Sequence, residues 1–408
     1  MTEAISRRAL IAAGLGAVSA CVAGSPSLGQ SSRMTFASWV QSFRTRALSR
    51  GISDATYNRV MGSIKPDTSV YALDRAQPEF REAVWQYLNR RVSDWRIMTG
   101  KVRAREHAPL LERIERSYGV DRYIMLGLWG MESAFGDVVE NPKHMRPVLP
   151  ALAALAWGEP RRRAYWEQEL LNALIIIERG WSKPDEMIGS WAGAMGHTQW
   201  MPEVWLGMGV DFNRDGRISP FGPPDDALAG TARYLAERGG YRRGESWGCE
   251  VRLPAGVSAT GARSMAAWHK LGVTRASGKP LPQAGEQARL WRPAPGGPTL
   301  LLTRNFDAVK SYNPANTYAL AIAHLGDRIR GDGPFVQPFP GGERTPTLAE
   351  VQEIQRRLTA LGFDTGGTDG RVGRDTMVAV RDYQRKVGMT PADGYAGLKL
   401  LARLRQGT

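Results

Sequence analysis

A mainly α-helical chain is predicted, with one small β-containing insertion and a separate three-helix unit at the C-terminus. Three observations carry that expectation. Apolar residues recur at three- and four-residue spacings through much of 36–245 and again through 305–331. Between these stretches, 246–302 change character: glycines and prolines multiply, and the runs Cys249–Leu253 and Thr299–Leu302 read as short strands. Beyond a breaker-rich segment from Gly331 to Gly342, two more helical patterns flank a turn crowded with Gly, Asp and Thr.

The bulk numbers bound the rest. A chain of 408 residues is long enough for a large core and more than one domain. A 42% hydrophobic and 23% charged composition is that of a globular protein and argues against disorder. The net charge of +14 points to an anionic partner. Nucleic acid is disfavoured because the basic residues are dispersed. The densest cluster, Arg161-Arg162-Arg163, is flanked by Glu159 and Glu167 and reads as a solvated face.

Residues 1–33 read as an export segment and short linker. Ser6-Arg7-Arg8 precedes an apolar run from Ala9 to Ala20, too short to span a bilayer in a mature protein. The paired arginines also suit the twin-arginine route. Val18-Ser19-Ala20-Cys21 resembles a bacterial lipobox, in which Cys21 would be lipidated and become the mature N-terminus. The other reading is cleavage further on, near Gln30, with Cys21 discarded. The only other cysteine is Cys249, so the mature chain has no disulfide framework and no cysteine-based metal site.

Residues 34–331 are expected to form one catalytic domain, 332–345 a linker and 346–408 the C-terminal domain. Within the first, 81–98 place Val84, Trp85, Leu88, Val92 and Trp95 on one helical face. In the last, Leu348, Val351, Ile354, Leu358 and Leu361 mark one helix, and Met377, Val380 and Tyr383 another.

The chemistry concentrates after Tyr118. Asp121 is a candidate N-cap, Ile124, Leu128 and Met131 form an apolar stripe, and Gly136 is a candidate stop. Glu132 falls in the last turn on a largely apolar face. Apolar surroundings and the negative end of a helix dipole both disfavour a charged carboxylate, which suits a general acid.

Trp129-Gly-Met-Glu-Ser-Ala-Phe-Gly136 resembles the signature of lytic murein transglycosylases of the membrane-bound B type. So does Gly189-Ser-Trp-Ala-Gly-Ala-Met-Gly-His-Thr-Gln-Trp-Met-Pro202. The likeness continues through Val210–Gly216, Ala232–Leu235, Tyr312-Asn313 and Tyr318-Ala319, with the motifs in order over roughly 35–330. The resemblance implies a lysozyme-like helical core. It makes Glu132 the acid/base, Ser190 and Gln199 holders of the substrate's polar groups, and Tyr87, Tyr234, Tyr312 and Tyr318 the lining of a glycan groove. Tyrosine suits sugars, offering a ring face and a hydroxyl. Gly193 and Gly196 would let the backbone pass close to the ligand. One departure is Trp200, where the family usually has Phe, so an extra indole N–H needs a partner.

The resemblance implies cleavage of the MurNAc–GlcNAc β-1,4 bond of peptidoglycan with formation of 1,6-anhydroMurNAc, by one carboxylate acting as acid and then base. A hydrolytic muramidase would need an activated water, and neither Asp137 nor Glu140 is marked by spacing as the second group. A non-catalytic scaffold is the third reading, disfavoured by Glu132 standing in its motif. The expected chain is a periplasmic monomer, anchored in the outer membrane if Cys21 is lipidated. It would need no cofactor for the chemistry.

Asp211-Phe-Asn213-Arg-Asp215-Gly216-Arg217-Ile218 matches the first eight positions of an EF-hand loop, with Arg217 contributing its backbone carbonyl. Position 12 is Gly222, so closure would fall to Asp226 in a lengthened loop, a placement the resemblance supports, or to Asp225. The two readings are a structural calcium site and an Asx-rich turn that binds no ion. Residues 346–405 resemble the small peptidoglycan-binding domain through Val351–Gln355, Leu361-Gly-Phe363, Thr368–Gly373, Tyr383-Gln384 and Asp393-Gly394, with Tyr383 in place of a more common Phe.

Overall fold

The computed structural model describes residues 34–75, 82–140, 145–257 and 261–407. The expected export segment and Cys21 lie outside the described residues. The chain divides into two compact units. One takes the chain up to Pro78 together with Gly136–Tyr234; the other takes Glu79–Phe135 together with Leu235 onward.

The first unit is built around the helices Val148–Gly158 and Arg163–Glu178. The former is apolar on every side, so it can only be stable when surrounded, and eight of its residues from Val148 to Ala156 are buried. The helices Phe36–Ser49 and Asp54–Met61 cover this core, entered through caps in which Thr35 accepts from Ser38 N and Ser53 from Thr56 N. Glu167, buried among them, receives the Trp39 indole N–H at 3.3 Å and pairs with Arg46. Strands β1 (Arg146–Pro147) and β2 (Ile188–Gly189) pair antiparallel at the edge of the loop that follows.

In the second unit, the expected helical stretch 81–98 is broken in two. Val84–Arg91 ends at Val92, and Ser93 caps a new helix, Asp94–Glu106, by accepting from Arg96 N at 3.3 Å. The apolar spacing runs through the break because Leu88 and Val92 are both buried; the serine cap, not the periodicity, places the boundary. The helices Arg122–Ser133 and Asn316–Arg330 form the centre. They cross at glycines. A Cβ on Gly127 would stand 2.2 Å from Ile322 O, and one on Gly326 would stand 2.5 Å from Tyr123 O. The crossing fixes an antiparallel register in which 123 meets 326 and 127 meets 322.

The insertion forms a five-stranded antiparallel sheet of β3 (Gly248–Arg252), β4 (Ala262–Ser264), β5 (Thr274–Arg275), β6 (Gln287–Trp291) and β7 (Thr299–Thr303), in the order β4-β6-β7-β3-β5. Trp268 plugs it, fully buried, donating its indole N–H to Ala288 O at 2.9 Å.

The C-terminal helices Leu348–Ala360, Arg374–Lys386 and Leu398–Arg405 enclose a core of Ile354, Leu358, Val380, Tyr383, Leu400 and Leu404. Leu361, expected in the first helix, follows it and is exposed. Two buried glutamines tie the glycine turns down. Gln355 accepts from Gly370 N and Gln384 from Gly394 N, each at 2.8 Å. The segment expected as a linker is pinned along its length. Both oxygens of Glu250 accept backbone N–H groups, from Val336 and Gln337, at 2.7 Å, and Asn89 donates to Glu343 O at 2.8 Å.

Candidate active site

Glu132 is the penultimate residue of Arg122–Ser133. Asp121 caps that helix as expected, accepting from Tyr123 N at 2.7 Å. The end differs from expectation. Ala134, not Gly136, terminates the helix in the left-handed region at φ 53°, followed by Phe135 at φ 62° and only then Gly136 at φ 96°. The purpose of this turn is visible in Phe135, whose ring folds back onto Gly130, where a Cβ would lie 2.6 Å from it. Two successive non-glycine residues in this conformation carry strain of roughly 1 kcal/mol or more each.

The half-buried Glu132 carboxylate accepts a hydrogen bond from the Tyr318 hydroxyl. This contact extends the glycine register by one step: 127 meets 322, and 132 meets 318. Tyr318 and Tyr312 are buried at 8% and 6% exposure; Tyr87 is half-buried with the guanidinium groups of Arg91 and Arg90 over its ring at 5.5 and 5.8 Å. Arg96 was not anticipated. Its Nε donates to Gly130 O at 3.2 Å, a carbonyl in the last turn of the Glu132 helix. A cation there satisfies an orphan acceptor and complements the helix dipole.

Ser190, Gln199 and Tyr234 belong to the first unit. Ser190 Oγ accepts from Ala194 N at 3.0 Å and Ser190 N donates to Ala194 O at 2.8 Å, closing a tight turn. Gln199 is held in the left-handed region at φ 54°, its amide donating to Gly196 O at 3.0 Å. Gly196 is required by its own φ of 71° and because a Cβ would meet Pro220 O at 2.1 Å. Beside Gln199 lies a cavity of about 310 Å³ with Val138, Val139, Ile188 and Phe221 in its wall. Tyr234 is buried in the helix Asp225–Glu237. The indole of Trp200 has its partner: it donates to Thr231 Oγ1 at 2.9 Å, and Thr231 donates onward to Thr198 at 2.9 Å.

The 211–217 loop is organised around its acidic side chains. Asp211 accepts from Asp215 N and Gly216 N, both at 3.0 Å, Asp215 from Arg217 N at 2.8 Å, and Asn213 Oδ1 from Asp215 N at 3.1 Å. Gly216, at the sixth position, has φ 87°. Asp226 reaches back to accept from Phe212 N at 2.7 Å and Ser219 N at 3.0 Å; burial, with the charge of Asp211 adding, pushes its carboxyl up. Among the described residues no three His, Cys, Asp or Glu side chains converge as a metal cluster. The donors are carboxylate and amide oxygens at alternate positions, the chemistry a hard cation takes.

A helical core holding one carboxylate against a tyrosine hydroxyl, a glycine-rich turn carrying Ser190 and Gln199, and an appended three-helix module define a lysozyme-like glycan-cleaving protein with a binding domain. The comparisons agree. Residues 35–327 match the "Transglycosylase SLT domain" family and 347–404 the "Putative peptidoglycan binding domain" family. The chain belongs to the transglycosylase SLT domain family and cleaves peptidoglycan by transglycosylation. It is 27% identical over 282 residues to membrane-bound lytic murein transglycosylase B of Escherichia coli, covering 66% of this chain and 73% of that protein. The crystal structure of SltB3 from Pseudomonas aeruginosa in complex with NAG-anhNAM-pentapeptide is 40% identical, with a TM-score of 0.70 over 91% of this chain and 99% of that one. The Escherichia coli lytic transglycosylase Slt35 in complex with calcium is 26% identical, with a TM-score of 0.60 over 71% of this chain and 92% of that one.

Proposed function

We propose that Glu132 cuts the MurNAc–GlcNAc β-1,4 bond by itself, first as acid and then as base. Glu132 protonates the bridging oxygen as the bond to C1 breaks; the substrate's N-acetyl group stabilises the cationic centre. The resulting carboxylate then takes the proton of the MurNAc C6 hydroxyl as O6 bonds to C1. The product is a 1,6-anhydro end, and no water is consumed. The observation that carries this reading is the hydrogen bond from Tyr318 to Glu132. A donor aimed at the carboxyl favours the anion that protonation of the leaving oxygen leaves behind. Ser190 and Gln199 hold the sugar's polar groups, and Tyr87, Tyr234, Tyr312 and Tyr318 line the glycan path. The residues Asp211, Asn213, Asp215 and Asp226, with the Arg217 carbonyl, hold a structural calcium ion; the calcium complex of the Slt35 relative supports this. The enzyme acts in the periplasm, tethered to the outer membrane through Cys21, in keeping with the membrane-bound relative. Among the described residues no helix is long and apolar enough to cross a membrane.

The test is digestion of purified sacculi with mass analysis of the released muropeptides. The parent chain yields ends lighter by one water than hydrolytic ends. Glu132→Gln lowers the rate by about 100-fold or more, as expected for loss of a general acid/base. Reducing ends would refute the ring closure, and wild-type turnover by Glu132→Gln would refute the assignment.

A further inference from the structure

Gln199 ends a four-residue turn, Gly196-His-Thr-Gln199, closed at its base by Met195 and Trp200, which exchange backbone hydrogen bonds of 2.9 and 2.8 Å. The glutamine backbone stands at φ 54°, a strained conformation that persists only where its surroundings over-determine it. Part of the constraint comes from within the turn, through the backbone and side-chain bonds of Gln199 to Gly196 O. The rest comes from the tip. His197 N donates to Pro220 O at 2.9 Å, and the His197 imidazole Nε2 lies 2.7 Å from Gly222 O. A carbonyl only accepts, so Nε2 carries the proton in that contact. The imidazole is buried, at 5% exposure. Thr198, fully buried, donates to Ala227 O at 3.3 Å in the helix Asp225–Glu237. Gly196, Gln199, Phe221 and Gly222 border the same cavity of about 310 Å³, so His197 clamps together two stretches of one cavity wall.

We propose that His197 is the positioning residue for Gln199, its imidazole locking the turn against 220–222 so that the Gln199 amide is presented to the sugar. The inference rests on the reading of Gln199 as a holder of the sugar's polar groups, and adds to it the residue that fixes where that holder stands. A turn paired only at its base keeps soft dihedrals at its tip; a second attachment at 197, two residues from Gln199, removes them. A group that holds substrate acts through geometry, and a displacement of about 1 Å is felt in the rate. Gly222 is exposed, so water can take over its carbonyl when the imidazole is replaced, and the loss is one of position rather than of folding.

The experiment is a double-mutant cycle in the full chain, read as kcat/KM for soluble, uncrosslinked glycan strands at a temperature where melting curves show every variant folded. His197→Met keeps the bulk of the side chain and removes the donor. It is expected to lower kcat/KM about fivefold, the scale of one neutral hydrogen bond. His197→Gln, whose amide Nε2–H reaches the place of the imidazole Nε2–H, restores most of that loss, which a role in packing alone would not predict. In a Gln199→Ala background His197→Met costs nothing further, because its effect passes through Gln199. A His197→Met rate equal to the parent's, a loss that His197→Gln does not relieve, or the same loss with and without Gln199 overturns the proposal. The underlying reading fails in a different way: a Gln199→Ala rate equal to the parent's removes Gln199 from substrate binding and overturns both, whereas a slow Gln199→Ala chain with an additive His197 loss overturns the positioning alone.

Discussion

Replacing Tyr318 by Phe isolates one hydroxyl. The ring is buried and its packing is retained, so the fold should be undisturbed. What is lost is the donor to Glu132. While Glu132 holds its proton that bond is between neutral groups, and it strengthens as the carboxyl becomes an anion in the transition state. Hydrogen bonds to charged groups contribute about 1.5–3 kcal/mol, against about 1 kcal/mol for neutral pairs. On kcat only the difference between the two counts, about 0.5–2 kcal/mol, a fall of roughly 2- to 30-fold at 1.36 kcal/mol per factor of ten. Because the difference arises between ground and transition state, it falls on kcat and leaves KM nearly unchanged. Initial rates of anhydromuropeptide release from sacculi, with a melting curve as control, measure it. A kcat equal to the parent's at unchanged thermal stability would refute the role given to Tyr318, since a bond that strengthens in the transition state must show on kcat.

Three further outcomes are expected. Among the described residues the buried Tyr383 hydroxyl has no hydrogen-bond partner, so Tyr383→Phe should stabilise the C-terminal module by about 1 kcal/mol, slowing amide exchange in Arg374–Lys386 several-fold. Burial pushes Asp327 from 3.8 up to about 6, although Arg330 and the Trp247 indole, which donates to it at 2.9 Å, pull the other way. The folded chain therefore holds a proton there that the unfolded chain releases; the resulting stability is complete below about pH 4 and lost as pH rises through 6. Asp327→Asn should gain on the parent by roughly 3 kcal/mol across that window in parallel denaturant titrations, and a constant difference would contradict it. Calcium should raise the melting temperature of the parent but not of Asp226→Asn, and an equal shift in both would place the ion elsewhere.

The Asp121 cap, the place of Glu132 in the last turn of its helix and the sheet-bearing insertion were legible in the sequence, because each depends on residues close together in the chain. What stayed hidden depends on pairs far apart. Nothing local to Gly127 reveals that it meets Ile322, or that Gly326 meets Tyr123, yet this crossing sets the register that delivers Tyr318 to Glu132. The left-handed turn at Ala134 was misplaced onto Gly136 because glycine usually takes that conformation. Here Phe135 drives it by packing on Gly130. Arg96 was invisible as a helix cap because it lies 34 residues from the carbonyl it satisfies. The helix break at Ser93 could have been found, since a serine followed by Asp94 is a cap signal, but the continuous apolar spacing outweighed it.

The pinned segment before the C-terminal module changes the physics of tethering. A floppy tail would raise the local concentration of polymer by an amount set by its length, and would present strands in every orientation. Here Gln86 holds Asp393 at 2.6 Å, Asn89 holds Tyr395 at 2.9 Å, and Trp85 meets the Tyr395 ring edge-on at 4.9 Å. A strand gripped by the module is thereby given a heading as well as a proximity. Lengthening the tail would blur the heading before it weakened the grip.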